Sequence, residues 1–392
     1  MKRLMMTGAA LLVAMLIGPS ANAAGTIKIG VVMPYSGQFA DLSKQMDNGL
    51  KLYIKEHGDK IAGKKVEIIR KDVGGINPPK AKRLAQELVV RDHVDILTGW
   101  QLSPNTFAGC TVSKEAKKFM VIMNAATSTI TDNSPYCTRT SFTLPMISVT
   151  LGKWAAKQGI KTDYTMTSDY APGHDAEKGF IYGFESGGGK VVGSVRMAVA
   201  NPDFSGYVQR AKDLKPQSIF IFIPGGAQPP AIGKALAEHS MDAETIRVLG
   251  TQELADDSAI KSMGKNALGI ITAGNYNYNR KAPLNEKFVA AYRKMFHENP
   301  NFGAVGGYDG MHLIYAALRK TKGKTDAESL THAAEGMKWE SPRGPMMIDP
   351  KTRDIVQTIY ISKIENKNGK YVNEVIDQVP DVHDPVHAGL MK

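Results

Sequence analysis

Hydroxyl-bearing side chains follow two short apolar runs in the first third of the sequence. The first run, residues 94–97, is followed by a polar loop that carries Ser103, and the second, residues 119–123, by a loop that carries Thr127. Hydroxyls and free backbone N–H groups in such loops can bind a carboxylate, because the start of a helix offers unpaired donors and a favourable dipole. The alternative is that both residues merely cap helices.

Residue types that catalysis needs are present, but they do not stand in a catalytic context. No G-x-S-x-G sequence frames a nucleophilic serine. The GGGK stretch at residues 187–190 lacks the Ser or Thr of a phosphate-binding loop, since Val191 follows the lysine. His174, Asp175 and Glu177 have no second cluster with metal-ligand spacing. The sequence therefore predicts no catalytic residue, no metal site and no cofactor, and an exported hydrolase is a weak alternative.

The two polar loops belong to a repeating pattern of strands and helices. Apolar, β-branched runs such as residues 27–33 and 66–70 are typical of buried parallel strands, and helical patterns follow them. A second series of the same kind begins at residue 164. Two such series predict two α/β lobes, each a parallel sheet covered by helices. Small ligands bind outside the carboxyl ends of parallel strands, so Ser103 and Thr127 should face one crevice.

The beginning of the chain has the pattern of a secretory signal peptide, residues 1–23. Lys2 and Arg3 precede an apolar run at residues 9–17, and Ala21-Asn22-Ala23 matches the A-x-A cleavage pattern. The apolar run is too short to span a bilayer. We therefore expect an exported protein that begins at Ala24 and is not inserted in the membrane.

The formal net charge is +11, which raises the question of a nucleic-acid partner. The lysines and arginines are scattered along the chain, without a dense run or interleaved aromatic residues. Such a distribution favours a solvated surface, with some attraction for anionic ligands. We expect no nucleic-acid partner.

Cys110 and Cys137 are the only cysteines. An exported chain can form a disulfide between them. The bond would tie the helix behind Ser103 to the segment that follows Thr127. Two buried free thiols are the alternative.

The two polar loops resemble the ligand-binding loops of the leucine/isoleucine/valine-binding protein family, type I periplasmic binding proteins that serve ABC importers. The first polar loop is GWQLSPNT, residues 99–106, and the second polar loop is NAAT, residues 124–127. In that family the first serine of one loop, and the alanine and threonine of the other, hold the carboxylate of the ligand. Ser103, Ala125 and Thr127 stand at the matching positions. The similarity covers essentially the whole mature chain.

The resemblance implies an α/β fold of the type I periplasmic-binding-protein class. Two parallel-sheet lobes with helices on both faces would be joined by a three-segment hinge around a ligand cleft. The chain would cross between the lobes near Leu144, Asn275 and Asp354. The expected lobes are residues 24–143 with 275–353 for lobe 1, and residues 144–274 with 354–392 for lobe 2.

The implied role is that of a monomeric periplasmic protein without enzymatic activity. It would capture a small carboxylate and deliver it to the permease subunits of an ABC importer in the membrane. A sensory protein that reports the same ligand to a receptor is the alternative.

Further ligand contacts are expected from both lobes. Trp100 and Gln101, in the first polar loop, could pack over the body of the ligand, although Trp100 could instead fill the core. In the second lobe Tyr170, Gln228 and Gln252 each follow an apolar strand. Each should therefore lie on the cleft side of the second sheet.

One position bears on the ligand class. Amino-acid-binding relatives place an acidic residue shortly after a glycine, where it neutralises the ammonium of the ligand. Aligning Gly250 with that glycine puts Gln252 at the acidic position and Glu253 beside it. A glutamine accepts a hydrogen bond but supplies no charge. The leading ligand class is a branched-chain or aromatic amino acid, because it dominates the family. An aromatic or aliphatic carboxylate without an amino group follows closely.

Overall fold

The computed structural model describes residues 25–200, 202–241 and 246–391, so the predicted signal peptide lies outside the described residues. Of the helices in these ranges, none combines the length and the apolar composition that crossing a bilayer requires. In chain order the elements of the first part are β1 (Thr26–Met33), α1 (Ala40–His57), β2 (Lys60–Ile61), β3 (Lys64–Asp72), α2 (Pro78–Val90), β4 (Ile96–Gly99), α3 (Ser103–Ala116), β5 (Phe119–Ile122), β6 (Cys137–Arg139), α4 (Leu144–Lys157), β7 (Thr162–Ser168) and α5 (Ala171–Ser186).

The remaining elements complete a second βα series and end in a set of antiparallel strands. They are β8 (Lys190–Met197), α6 (Ser205–Leu214), β9 (Ser218–Phe222), α7 (Gln228–Glu238), β10 (Arg247–Thr251), α8 (Asp257–Met263), β11 (Ile271–Gly274), α9 (Pro283–Phe296), α10 (Phe302–Lys320), α11 (Ala327–Ala334), β12 (Lys338–Ser341), β13 (Gly344–Ile348), β14 (Ile355–Lys367) and β15 (Lys370–Val382).

The described strands form two sheets, one in each lobe. The first has the order β2-β3-β1-β4-β5-β6 and is parallel except for β2. The second has the order β12-β13-β14-β11-β10-β9-β7-β8, with β15 paired to β14. Its strands from β11 to β8 are parallel, whereas β12 to β15 are antiparallel. The predicted α/β architecture of two lobes is confirmed.

The third change of sheet lies earlier in the chain than the sequence suggested. Helix α11 packs against β5 and β6 of the first sheet, whereas β12 and β13 already belong to the second. The reason is the hairpin in which Ile348 pairs with Ile355, since it brings residues 338–348 alongside β14. The chain therefore changes sheets between α11 and β12, and not near Asp354, which lies in the turn of that hairpin.

Helices α1 and α10 pack unusually closely against each other, and glycines allow this. A Cβ atom on Gly49 would overlap the carbonyl of Ala304, and one on Gly307 would overlap the carbonyl of Met46. The two helix backbones are therefore in direct contact. This contact fixes the position of Leu42, near the start of α1, at the boundary between the lobes.

The predicted disulfide is confirmed. Cys110 of α3 is bonded to Cys137 of β6, both side chains are fully buried, and their Cα atoms are 6.3 Å apart. The bond links the helix that carries Ser103 to the strand that follows the second polar loop.

The connections between the lobes meet at one backbone carbonyl, that of Ser141. It accepts hydrogen bonds from Asn275 Nδ2 at 3.2 Å, from Arg343 Nη1 at 3.1 Å and from Gln357 Nε2 at 2.8 Å. Arg343 is also ion-paired with Asp309 of α10 at 2.7 Å, and both side chains are buried. We call these five residues the hinge cluster.

Candidate functional site

A narrow cavity lies between the lobes, at the carboxyl ends of the strands. Its volume is about 30 Å³, and it is partly open to solvent. The two lobes contribute similar shares of the wall. The first lobe lines it with Leu42, Gln101, Ser103, Asn124, Ala126 and Phe142, and the second with Tyr170, Phe222, Gly225 and Glu253.

The two polar loops meet at Ser103, as the strand pattern predicted. The Ser103 hydroxyl oxygen accepts hydrogen bonds from the backbone N–H groups of Ala126 at 3.3 Å and of Thr127 at 3.2 Å. Helix α3 begins at Ser103, so Ser103 lies in the first helical turn. The buried Thr127 hydroxyl has no hydrogen-bond partner within the described residues. Ser103 lines the cavity, whereas Thr127 is not among the described lining residues, and contact of either hydroxyl with a ligand stays a prediction.

Ala125 and Trp100 do not line the cavity. The Ala125 N–H donates to the Trp100 carbonyl at 3.0 Å, and both side chains belong to the buried core behind α3. Trp100 has a left-handed backbone, with φ of 62°, and its ring fills the space above Gly109. The ring thus serves as core filler, the alternative left open from the sequence. Ala126 takes the place at the cavity that was predicted for Ala125.

Gln101 lines the cavity as predicted, but its amide is already engaged. Its oxygen accepts from the Ser43 hydroxyl and its nitrogen donates to the Phe39 carbonyl at 3.2 Å. Both partners lie at the start of α1. Gln101 therefore fixes the α1 side of the cavity wall.

An aromatic wall forms the second-lobe side of the cavity. The rings of Tyr170 and Phe222 are stacked, with centroids 6.1 Å apart and an angle of 13° between the planes. Burial, and to a lesser extent the nearby Glu253, raise the pKa of Tyr170 above its usual range, so the phenol is neutral. Such a wall suits a flat, apolar ligand body.

Gln228 lies away from the cavity, contrary to the prediction. It is the first residue of α7, and its side-chain nitrogen donates to the Val199 carbonyl at 2.6 Å. This hydrogen bond holds the loop after β8 against α7 and turns the Gln228 amide into the second lobe.

The structure exchanges the expected positions of Gln252 and Glu253. A short 3₁₀ helix, Gln252–Ala255, follows β10 directly. It turns Gln252 toward the hinge, where the side-chain oxygen accepts from the Asn275 N–H at 3.0 Å, and it brings Glu253 to the cavity. The sequence signal for this exchange is the carboxylate that stands directly after Gln252.

Glu253 is the only carboxyl group among the described residues that line the cavity. One of its oxygens is buried without a hydrogen-bond partner. Burial raises the pKa of Glu253 to about 7. The described lining includes no lysine, arginine or histidine. An anionic ligand would therefore be bound by hydrogen-bond donors and not by an ion pair.

Sequence comparison identifies the family. The family model described as periplasmic binding protein matches residues 26–370. The Leu/Ile/Val-binding protein homolog 6 of Brucella melitensis is 39% identical over 373 residues, which cover 94% of this chain and 95% of that protein.

Solved structures of similar proteins agree with this result. A solute-binding protein of an ABC transporter from Rhodopseudomonas palustris BisB5, in complex with 3,4-dihydroxybenzoic acid, is 48% identical with a TM-score of 0.89. The match covers 92% of this chain and 99% of that one. A second, from strain HaA2 in complex with p-hydroxybenzoic acid, is 37% identical with a TM-score of 0.89, over 93% and 100% of the two chains. This chain therefore belongs to the periplasmic binding protein family, as a solute-binding protein of an ABC transporter and not an enzyme.

Proposed function

We propose that this protein binds an aromatic carboxylate of the hydroxybenzoate type in the periplasm and delivers it to the permease of an ABC importer. The observation that carries the proposal is one cavity with two unlike ends. Ser103 offers a hydroxyl donor on one side, with Thr127 hydrogen-bonded to it through its backbone N–H, and Tyr170 and Phe222 offer an aromatic wall on the other. The similar proteins crystallised with dihydroxybenzoic and hydroxybenzoic acids support the same ligand class.

In the proposed complex each part of the ligand meets a matching group. The carboxylate accepts short, charge-assisted hydrogen bonds from the Ser103 and Thr127 hydroxyls. The ring packs against Tyr170 and Phe222. A ring hydroxyl donates to Glu253, whose carboxyl, with a pKa of about 7, is largely neutral in mildly acidic solution and can also return a hydrogen bond.

A branched-chain or aromatic amino acid is the second candidate, and Glu253 is the reason. Its carboxylate could compensate the ammonium that Gln252 leaves unpaired. The Brucella relative carries a name of that class. We rank it second because the relatives crystallised with aromatic acids include the more similar protein.

Delivery requires a conformation that the permease can recognise. In the structure the lobes touch across the cleft, since the Ala227 N–H donates to the Gln38 carbonyl at 2.9 Å and the Ser128 N–H to Asp175 at 3.1 Å. A ligand held by both lobes would select this closed arrangement. We expect the exported protein to be a monomer when it meets the permease.

Calorimetry on ligand-stripped mature protein tests the ligand class. We expect benzoate and its hydroxylated derivatives to bind with a Kd near or below the micromolar range, and leucine and phenylalanine to give no heat. A Tyr170→Leu variant is the matched control, because it removes the aromatic wall and keeps the hydroxyl donors. Tight binding of leucine or phenylalanine alone would refute the aromatic-acid proposal in favour of the second candidate.

We predict that benzoate binds more weakly as the pH rises through neutrality. In the empty cavity the pKa of Glu253 is about 7, above the ordinary 4.5, so the neutral form is already favoured. A bound anion disfavours the ionised form further, and binding therefore takes up protons. The Kd of benzoate should rise roughly fivefold between about pH 6 and about pH 8 in calorimetric titrations.

The sign of this dependence separates the two ligand classes. A Glu253→Gln variant should bind benzoate equally well across the same range, because no group in its cavity titrates there. The ammonium of an amino acid favours ionised Glu253, so the affinity for an amino acid would rise with pH. Benzoate affinity that rises with pH in the wild-type protein would contradict the prediction.

A further inference from the structure

The segment after β15 returns to the first lobe and ends in a buried ion-pair network. His387 in this segment approaches two carboxylates: its Nδ1 lies 2.7 Å from Asp354 and its Nε2 lies 3.2 Å from Asp132. Both ring nitrogens can donate at once only in the protonated imidazolium. Asp132 lies in the 3₁₀ helix, Ser128–Asn133, that begins directly after the second polar loop.

Asp354 connects His387 to the interior. Its other carboxylate oxygen lies 2.9 Å from Arg139 Nε, and both side chains are almost completely buried. The Arg139 guanidinium donates to the carbonyls of Thr127 at 2.6 Å and of Ser128 at 3.2 Å. It also donates to the carbonyl of Phe142 at 3.2 Å, a residue of the cavity wall. Arg139 therefore holds two parts of the ligand site by their backbone.

We propose that His387 and Asp354 are positioning residues of the ligand site, which act through Arg139 to hold Thr127 in its place beside Ser103. The role in ligand affinity rests on the proposed function, in which Thr127 binds the carboxylate. The chain of contacts runs from the C-terminal segment through Asp354 and Arg139 to the backbone of the second polar loop.

Charge balance explains why the network needs the histidine. Arg139 faces the carboxylates of Asp354 and Asp175, and the imidazolium adds a second, partly buried cation beside Asp354. The hydrogen bond to Asp354 is the largest cause that raises the pKa of His387, to about 9. The contribution of His387 is therefore present at neutral pH and is lost as the pH rises through about 9. The ionisable groups that face His387 and its partners are Asp132, Arg139, Asp175, Asp349, Lys351, Asp354, His383 and Asp384.

Two measurements on His387→Ala test the proposal. Hydrogen exchange in the ligand-free protein should be faster at the Thr127 and Ser128 amides. The Kd of benzoate at neutral pH should rise roughly tenfold, the usual effect of losing a hydrogen bond to a charged group. Wild-type affinity should fall toward that of the variant as the pH rises above about 9, whereas the variant should not change there. Benzoate has no group of its own that titrates in this range.

Two further variants keep the test decisive. His332→Ala is the matched control, since His332 is exposed and pairs only with Glu335 of its own helix turn. Asp132→Asn, at an exposed position, removes one of the two partners of His387 and covers the case in which His387→Ala does not fold. It should also speed hydrogen exchange at Thr127 and Ser128 and raise the Kd of benzoate, each by less than His387→Ala.

The possible outcomes are distinguishable. Unchanged exchange and unchanged benzoate affinity in both network variants would overturn the proposal, and so would faster exchange without loss of affinity. If the wild-type protein binds no aromatic carboxylate, the proposed function fails. In that case faster exchange at Thr127 still supports the positioning of the loop, and unchanged exchange overturns it.

Discussion

Replacing Ser103 with alanine weakens the binding of an aromatic carboxylate by about 1.5–3 kcal/mol, and replacing Thr127 has a similar effect. The cavity lining that the structure describes carries no basic side chain, so the anion depends on neutral donors. Ser103 has a second role, because its oxygen accepts the N–H groups of Ala126 and Thr127. Its removal frees both amides in a buried place, where an unpaired donor is costly.

Calorimetry with benzoate and thermal unfolding without ligand check this prediction together. Unfolding of Thr127→Ala should change much less than its binding, since the disulfide and the strands keep the two loops in place, whereas Ser103→Ala should also lose stability because two buried amides are left unpaired. Thr129→Ala is the matched control, as it removes an exposed hydroxyl two residues after Thr127. If both variants bound benzoate normally, or simply unfolded, helix capping would be the better account of the two hydroxyls.

Replacing Arg343 with methionine lowers the free energy of unfolding by about 3–5 kcal/mol, the usual result of breaking a buried ion pair. The change leaves the Asp309 carboxylate buried without its cation. It also removes the donors to the carbonyls of Thr140, at 2.5 Å, and of Ser141, at 3.1 Å. Both carbonyls belong to the first connection between the lobes, so the loss falls on the hinge.

Urea unfolding of the mature protein measures the effect. Lys44→Met is the control: its pair with Glu298 is exposed, and such pairs contribute about 0–1 kcal/mol. A double variant with Asp309→Asn should recover part of the loss, because no buried charge is then left unpaired. A loss below about 1 kcal/mol in Arg343→Met would show that the hinge cluster tolerates the missing guanidinium.

The first lobe could be predicted from the sequence because its pattern is local. Strands β1, β4 and β5 are short apolar runs that end in polar or glycine-containing loops, and the parallel arrangement then determines where the loops meet. Strands β12 to β15 gave no comparable signal. Strand β15 has no fully buried residue and mixes apolar with charged side chains, and its pairing with β14 depends on contacts that form only in the folded chain.

The site was predictable at the residues that end strands, and less so where the local backbone is irregular. Ser103 and Thr127 come together because two neighbouring strands end beside each other. The 3₁₀ turn after β10 breaks the alternation of side chains, and so Glu253 reaches the cavity that was expected for Gln252. Similarly, Trp100 adopts a left-handed backbone that no periodicity reveals, and its ring turns into the core.

The shared carbonyl of Ser141 has a mechanical consequence. Donors from three separate parts of the chain converge on this one atom, so the connecting segments cannot slide independently of one another. The lobes then rotate as two rigid bodies about one hinge axis, and a single interlobe angle describes their relative position. A ligand too large for the cleft would prevent complete closure and leave a larger interlobe angle. A permease that contacts both lobes would respond to this interlobe angle, and so to the size of the ligand, without contacting the ligand itself.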